Sequence, residues 1–253
     1  MPRFFVQPSA IGSDTVTLTG DNAHHAAYSL RLAVGDHITV CCDRVAYECE
    51  LIAFDGETVT GRICSSTPAD TEPPYVAHLY QALPKGDKLD TVIQKAVECG
   101  ACSITPFESS RCIVRCKPEA EARKTERRAR IAEEAAKQCG RGVIPTVHPT
   151  VSFSAVMDLV SSHDLVLFCY EGEDTRSLKA ILTEKATCLA DRIAEGRAPE
   201  IAIVVGSEGG FSPDEAATAA ARGYAMTGLG RRILRTETAG GVVLSCLIYE
   251  LEL

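Results

Sequence analysis

From Tyr75 onward the sequence alternates short apolar runs with longer helical patterns, and this alternation restricts the fold more than any other feature. Val76–Ala82, Ser103–Phe107, Asp164–Tyr170, Glu200–Val205 and Tyr224–Leu229 have the length and apolar content of strands. Helical patterns occupy Lys88–Glu98, Glu119–Cys139, Phe153–Val160, Ser177–Glu195 and Glu237–Leu251. Strands separated by helices form a parallel sheet covered by helices, so an α/β fold is expected for this part. Gly100 and Gly140 stop two of the helices, and Ser212-Pro213-Asp214-Glu215 is a capping box with Pro at the first helical position.

Residues 1–66 read differently. Arg3–Val6, Thr15–Thr19, His37–Asp43, Val45–Phe54 and Thr58–Cys64 are closely spaced strand-like runs, with Asp55-Gly56 as a hairpin turn. Asp21 suits the N-cap of a short helix over His24–Leu32. Short strands joined this tightly suggest a small barrel. Ser66–Pro74 is polar, holds three prolines and reads as the linker, which predicts domains at 1–70 and 75–253. No apolar run reaches the ~18 residues of a membrane span, and the opening MPRFFVQPSAIGSD does not read as a secretory signal. Twelve Cys without an export signal fit free thiols in a reducing compartment, so a cytoplasmic protein is expected.

The net charge of −8 argues against a polyanionic partner, but its distribution does not. Lys85–Arg141 contains 13 Lys+Arg against 9 Asp+Glu, while the first 70 residues hold 4 basic and 9 acidic side chains. The run Arg123–Arg130 lies among Glu residues on the long helix and reads as a solvated face.

Two segments carry the chemistry. In Ile203-Val204-Val205-Gly206-Ser207-Glu208-Gly209-Gly210-Phe211-Ser212-Pro213 a buried strand ends in a Gly-rich turn that feeds a capped helix. Strand C-termini of this kind are where α/β proteins bind ligands. The turn lacks the Lys of a P-loop, and Glu208 stands where a dinucleotide fingerprint needs Gly. An acidic residue there suits a cationic or hydroxyl-bearing ligand better than a phosphate. In Thr227–Gly241 a strand again ends in Gly and leads to Arg231, Arg232 and Arg235, with Ile233-Leu234 between them expected to bury something.

The segments LGRRILRTETAGG, VVGSEGGFSPDE, KGDKLDTVIQKAVECG, ITPFESSRCIVR and RIAEEAAKQCGR, in their order, closely resemble the RsmE family. Members of that family are bacterial enzymes of the SPOUT (α/β-knot) superfamily that methylate N3 of a uridine in small-subunit ribosomal RNA. The resemblance spans nearly the whole chain, including His24-His25 and Leu30-Arg31-Leu32. This chain departs from the family pattern at Ser207, usually Pro, and at Cys139, usually a small residue other than Cys.

The resemblance implies a PUA-like, RNA-binding β-barrel, a C-terminal α/β domain with a trefoil knot, S-adenosylmethionine as methyl donor, and a homodimer. Its substrate would be 16S rRNA or the assembled 30S particle, with no membrane partner. Carried over by position, the donor site comprises Leu167 and Phe168 with the turn after them, then Gly206, Ser207, Glu208, Gly209 and Gly210, then Leu229, Gly230, Ile233 and Leu234. Arg235 is the candidate stabiliser of a uracil anion, and Glu208 and Glu237 are candidate bases, although each of the three also suits a cap or loop-fixing role. For Glu208 the loop-fixing role is preferred. Lys85, Lys88, Arg111, Arg115 and Arg141, with His24 and Arg31 from the barrel, are candidate RNA contacts. Cys99-x2-Cys102 and Cys112-x3-Cys116 approach zinc spacing but sit on unlike elements and read as small hydrophobes, so no metal ligand is assigned. Two alternatives stay open: a SPOUT enzyme acting on ribose 2′-OH or another base, and a non-catalytic RNA-binding assembly factor.

Overall fold

The computed structural model describes residues 1–253, which divide into two compact units: Met1–Glu72 with Ala136–Ile144, and Pro73–Ala135 with Pro145–Leu253. The first unit contains β1 (Arg3–Phe5), β2 (Thr15–Thr19), α1 (Gly20–His24), β3 (His37–Cys42), β4 (Val45–Asp55) and β5 (Thr58–Pro68). Its sheet order is β1-β3-β4-β5-β2, antiparallel except for the β1–β3 pair. Alternate residues point inward, and Phe4, Val16, Leu18, Ile38, Val40, Cys49, Leu51 and Val59 form one closed core.

Three local expectations are corrected in this unit. The helix begins at Gly20 rather than His24, so Asp21 lies inside its first turn, and it continues as a π-helical turn over His25–Ser29. β3 stops at Cys42 because Asp43 and Arg44 both take positive φ (48° and 62°), the requirement of a two-residue type I′ hairpin turn. β5 runs to Pro68 because its partner β4 is long enough to pair with it, so the first residues of the presumed linker are strand. Arg141 joins this unit, buried, in an ion pair with Glu72, while its carbonyl accepts from Arg3 at 3.0 Å.

The second unit contains β6 (Val76–Ala82), α2 (Lys88–Glu98), β7 (Ser103–Glu108), α3 (Pro118–Cys139, its last turn lying in the first unit), β8 (Thr146–Val147), β9 (Val151–Ser152), α4 (Phe153–Leu159), β10 (Leu165–Cys169), β11 (Arg176–Ser177), α5 (Leu178–Ala194), β12 (Glu200–Val205), α6 (Pro213–Ala221), β13 (Ala225–Gly228) and α7 (Thr236–Leu251). The sheet order is β11-β13-β10-β12-β6-β7-β8, with β9 also on β7, and every pairing is parallel. The two-residue strands β8, β9 and β11 are too short to show a period in the sequence.

Central strands buried on both faces explain the continuous apolar runs, with Ile201, Ala202, Ile203 and Val204 fully enclosed. The α6 capping box forms as expected, with Ser212 Oγ accepting from the Glu215 amide and Glu215 accepting from the Ser212 amide. Glu215 also accepts from the amide and hydroxyl of Ser110, tying the loop after β7 to the start of α6. Phe107, Phe153, Phe168 and Phe211 pack together beneath that corner, with the rings of Phe168 and Phe211 4.2 Å apart.

A buried polar knot holds α3 to the segment before β9. Glu121 accepts from the Thr150 amide at 2.7 Å, from Arg128 at 3.1 Å and from the Cys116 thiol at 2.8 Å. Burial alone would raise its pKa, but these donors outweigh it and hold the carboxyl at about 2. A carboxyl whose pKa is lower folded than unfolded contributes stability that is complete above its ordinary value near 4.5 and is lost as pH falls toward 2. Urea unfolding across that window should show wild-type stability falling more steeply than that of Glu121→Gln, and parallel pH profiles would contradict the assignment.

Candidate active site

The parallel strands β10, β12 and β13 end on one side of the sheet, and the loops that leave them enclose a cavity of about 750 Å³. Its wall is built from Cys169–Gly172 with Thr175, from Val205–Phe211, and from Thr227–Thr236 with Ala239, while Lys88 and Arg111 also border it. This is the size and position expected of a small-molecule site in an α/β sheet.

The turn after β12 is held from beneath. The Gly206 carbonyl accepts from the Thr236 hydroxyl at 2.6 Å and from the Gln81 amide at 3.4 Å, and Gln81 reaches Thr236 at 2.8 Å. All three residues are buried. The turn then doubles back, with the Gly210 amide on the Ser207 carbonyl at 2.9 Å. A Cβ on Gly206 would lie 3.2 Å from the Gly210 backbone, a tight approach that would push the turn open by a few tenths of an ångström. On the facing loop Gly230 sits at φ +102°, a conformation that L side chains rarely adopt.

Glu208 is fixed by the segment before α2. One carboxylate oxygen accepts from the Lys85 amide at 3.1 Å and from the Lys88 ammonium at 2.9 Å. Burial pushes its pKa up, but the Lys88 hydrogen bond and backbone donors prevail, leaving the carboxyl below the ordinary carboxylate range. Lys88 also lies 3.4 Å from Glu237, so this one ammonium joins α2, the Gly turn and the start of α7. Arg111 caps the turn from outside, donating to the Gly209 carbonyl at 3.0 Å. Burial pushes the Cys169 thiol up to about 12, which makes it a neutral part of the wall and not a nucleophile.

Gly206, Ser207, Glu208, Gly209, Gly210, Leu229, Gly230, Ile233, Leu234 and Arg235 all line the cavity. Leu167 and Phe168 do not. They are enclosed within β10, and the wall begins one residue later at Cys169. Glu237 lies outside the wall, in its ion pair with Lys88. The expectation that Ile233-Leu234 are buried fails for Ile233, which is 82% exposed: it sits on a loop along the cavity wall, away from the core.

Among the candidate RNA contacts, Lys85, Lys88 at the start of α2, and Arg111 touch the turn, and Arg115 donates to the Ser109 and Ser110 carbonyls. His24 and Arg31 are exposed in the first unit, whereas Arg141 is buried there. Three of the four cysteines at near-zinc spacing have separate partners: Cys112 is hydrogen-bonded with Ser109, Cys116 donates to Glu121, and Cys99 faces Ser245.

The turn after Leu167-Phe168 does line the cavity, as Cys169–Gly172, but sequence reasoning named none of its residues and missed Gln81 and Thr175. Gln81 left one trace, as a polar residue near the end of the otherwise apolar Val76–Ala82 run. With Lys88→Met, burial of Glu208 loses its main opponent. Carboxyl titration by ¹³C NMR should show the Glu208 pKa rising, with faster amide exchange at Gly209 and Gly210. An unmoved Glu208 would mean that Lys88 does not hold the turn.

Residues 71–248 match the family model described as RNA methyltransferase domain. Ribosomal RNA small subunit methyltransferase E of Bacillus subtilis (strain 168) is 32% identical over 258 residues, covering 100% of this chain and 98% of that protein. The crystal structure of a ribosomal RNA small subunit methyltransferase E from Neisseria gonorrhoeae bound to S-adenosyl methionine superimposes with a TM-score of 0.82 at 28% identity, covering 98% of this chain and 97% of that one. A methyltransferase from Legionella pneumophila in complex with the bound cofactor SAM gives the same TM-score and identity, over 98% and 96% of the two chains. The family match takes in every strand of the parallel sheet and all three loops of the cavity, and the chain belongs to the RNA methyltransferase family, in the RsmE group.

Proposed function

We propose that this chain is an S-adenosylmethionine-dependent methyltransferase acting on N3 of a uridine in 16S ribosomal RNA of the small subunit. The observation that carries the reading is the convergence of three loops on one cavity at the strand C-termini, in a chain that aligns end to end with small-subunit rRNA methyltransferases. The first unit would be the PUA-like, RNA-binding barrel, and the second the α/β-knot domain. Sequence order supports that division, because the five-stranded sheet precedes the parallel one.

The cavity suits the donor chemically. The Ser207 hydroxyl is buried without a partner, and Glu208 and Glu171 bring carboxylates to a wall that also carries Leu229, Ile233 and Leu234. Such a wall has apolar surface for a base and acceptors for ribose hydroxyls and a cation. Gly206, Leu229, Ile233 and Leu234 would hold the adenosine through backbone groups. S-adenosylmethionine, when bound, supplies an electrophilic methyl on a sulfonium.

The chain's own task is to position the two reactants and to ease loss of the N3 proton. Arg235 lies in the wall at the N-cap of α7 and is exposed, so its guanidinium is free to meet a uracil anion. The two donors on one Glu208 oxygen support the turn-fixing role for that residue. Glu237, outside the wall and paired with Lys88, serves in this reading as a strut between α7 and α2. Lys85, Arg111 and Arg115 beside the cavity, and His24 and Arg31 on the first unit, would contact RNA phosphates.

Homodimerisation is part of the proposal. Val243, Leu244 and Leu247 of α7 are buried within the unit, while Val242, Ile248 and Leu251 remain partly exposed and Tyr249 is 75% exposed. In this reading a second copy covers that remaining apolar surface of α7.

Arg235→Ala should lower kcat and kcat/KM together by about 10²–10³-fold, with donor affinity by calorimetry nearly unchanged. Glu208→Gln should weaken donor binding. If it instead binds donor normally but is slow and rescued at alkaline pH, Glu208 is the base. Mass mapping of 16S rRNA from a strain lacking the gene should show loss of one N3-methyluridine, restored by the wild-type gene. A missing 2′-O-methyl group would replace the proposed target.

A further inference from the structure

At the end of the parallel sheet away from the cavity, three side chains that no chemistry above has used come together. His78 stands near the start of β6, Glu200 opens β12, and His163 lies two residues before β10. These strands are neighbours in the order β10-β12-β6, so residues about 120 positions apart in sequence meet at one edge of three adjacent strands. One ligand atom from each lies within 4.8 Å of the others.

Two ring nitrogens of this group, His78 Nε2 and His163 Nδ1, are buried and make no well-formed hydrogen bond, with the Val160 and Leu159 backbone near the His163 ring. Buried polar atoms in a folded protein are rarely left unsatisfied, and an orphan of this kind calls for an explanation. The opposite nitrogens are engaged. His78 Nδ1 lies 2.8 Å from Ser103 Oγ, and His163 Nε2 lies 3.5 Å from the Tyr80 hydroxyl. A metal-bound histidine shows this pattern, with one nitrogen free for the ion and the other held by a hydrogen bond that sets tautomer and ring orientation.

The Glu200 carboxylate lies 3.9 Å from His78 Nε2 and has no cationic side chain paired with it. Its backbone is fixed, since the Glu200 amide donates to Asp164 at 2.9 Å. Asp164 is itself neutralised by Arg192 and is not available as a competing ligand.

We propose that His78, His163 and Glu200 form a zinc site that staples the N-terminal ends of β6, β10 and β12. Two imidazoles and one carboxylate are an ordinary zinc donor set, with solvent completing the tetrahedron. Bonds of ~2.0–2.2 Å separate tetrahedral ligands by roughly 3.4 Å, so the ligand atoms would draw together from their present spacing of up to 4.8 Å when the ion binds. The ion would lie at the opposite ends of the strands from the cavity. Its effect is therefore on stability and not on methyl transfer. The sequence hid it, because the ligands share no local spacing.

The test uses the full chain stripped with a chelator. Cobalt(II) is the spectroscopic probe, because the twelve cysteines could bind zinc by themselves. One equivalent should give d–d bands without a thiolate charge-transfer band. Zinc should displace it and raise Tm with increasing concentration. His163→Gln and Glu200→Gln should each abolish the cobalt spectrum and the Tm increment while keeping wild-type affinity for S-adenosylmethionine, which reports that the variants are folded. Ser103→Ala should weaken zinc by about 10–100-fold. A thiolate band, an unchanged Tm, or retention of the ion by both ligand variants would overturn the proposal.

Discussion

The architecture of the cavity depends on one carbonyl oxygen. Gly206 leaves the central strand β12, and its oxygen is gripped by the Thr236 hydroxyl and the Gln81 side-chain amide. Those groups come from the start of α7 and from the neighbouring strand β6. Three segments far apart in sequence are thereby joined in a space closed to water. A hydrogen bond there has no solvent competitor, and breaking it would leave buried polar atoms unpaired. The anchor fixes where the turn leaves the sheet, and Lys85, Lys88 and Arg111 hold its outer half.

Around it the charged groups are arranged by the same economy. Lys88 serves Glu208 and Glu237 together, so one ammonium joins three elements. Arg235 is left outside that network. The division gives a rigid anionic strut beside an uncommitted cation, the arrangement required when negative charge must develop on a bound base. The opposite ends of the same strands carry two imidazoles and one carboxylate beside the Asp164–Arg192 pair. The two ends of the sheet are chemically unlike, and the parallel topology is what separates them.

The comparison with relatives and the geometry rest on different information. Alignment with methyltransferase E of Bacillus subtilis reports sequence kinship over the full length. The cavity reports that the Gly-rich turns at the ends of β12 and β13 face one space. The kinship names the class of reaction, and the cavity offers a place for its small-molecule reactant.

Much of this protein was legible in its sequence. Strand and helix order in the second unit follows from apolar periodicity, because strands buried on both faces must be apolar throughout. The α6 start follows from Ser212 and Glu215, whose side chains satisfy backbone donors within four residues. The Gly206–Gly210 turn is visible because its close backbone approach at Gly206 and its positive φ at Gly210 favour glycine. What the sequence could not decide are the contacts between distant segments. Nothing near Ile233 indicates that it stays exposed on the cavity wall, nothing near Lys88 names its two carboxylates, and nothing near Arg141 predicts its burial against Glu72. Local pattern determines which backbone a segment adopts. Which side chains then meet is decided by strand order and packing, which bring residues 81, 206 and 236, or 78, 163 and 200, to within a few ångströms of each other.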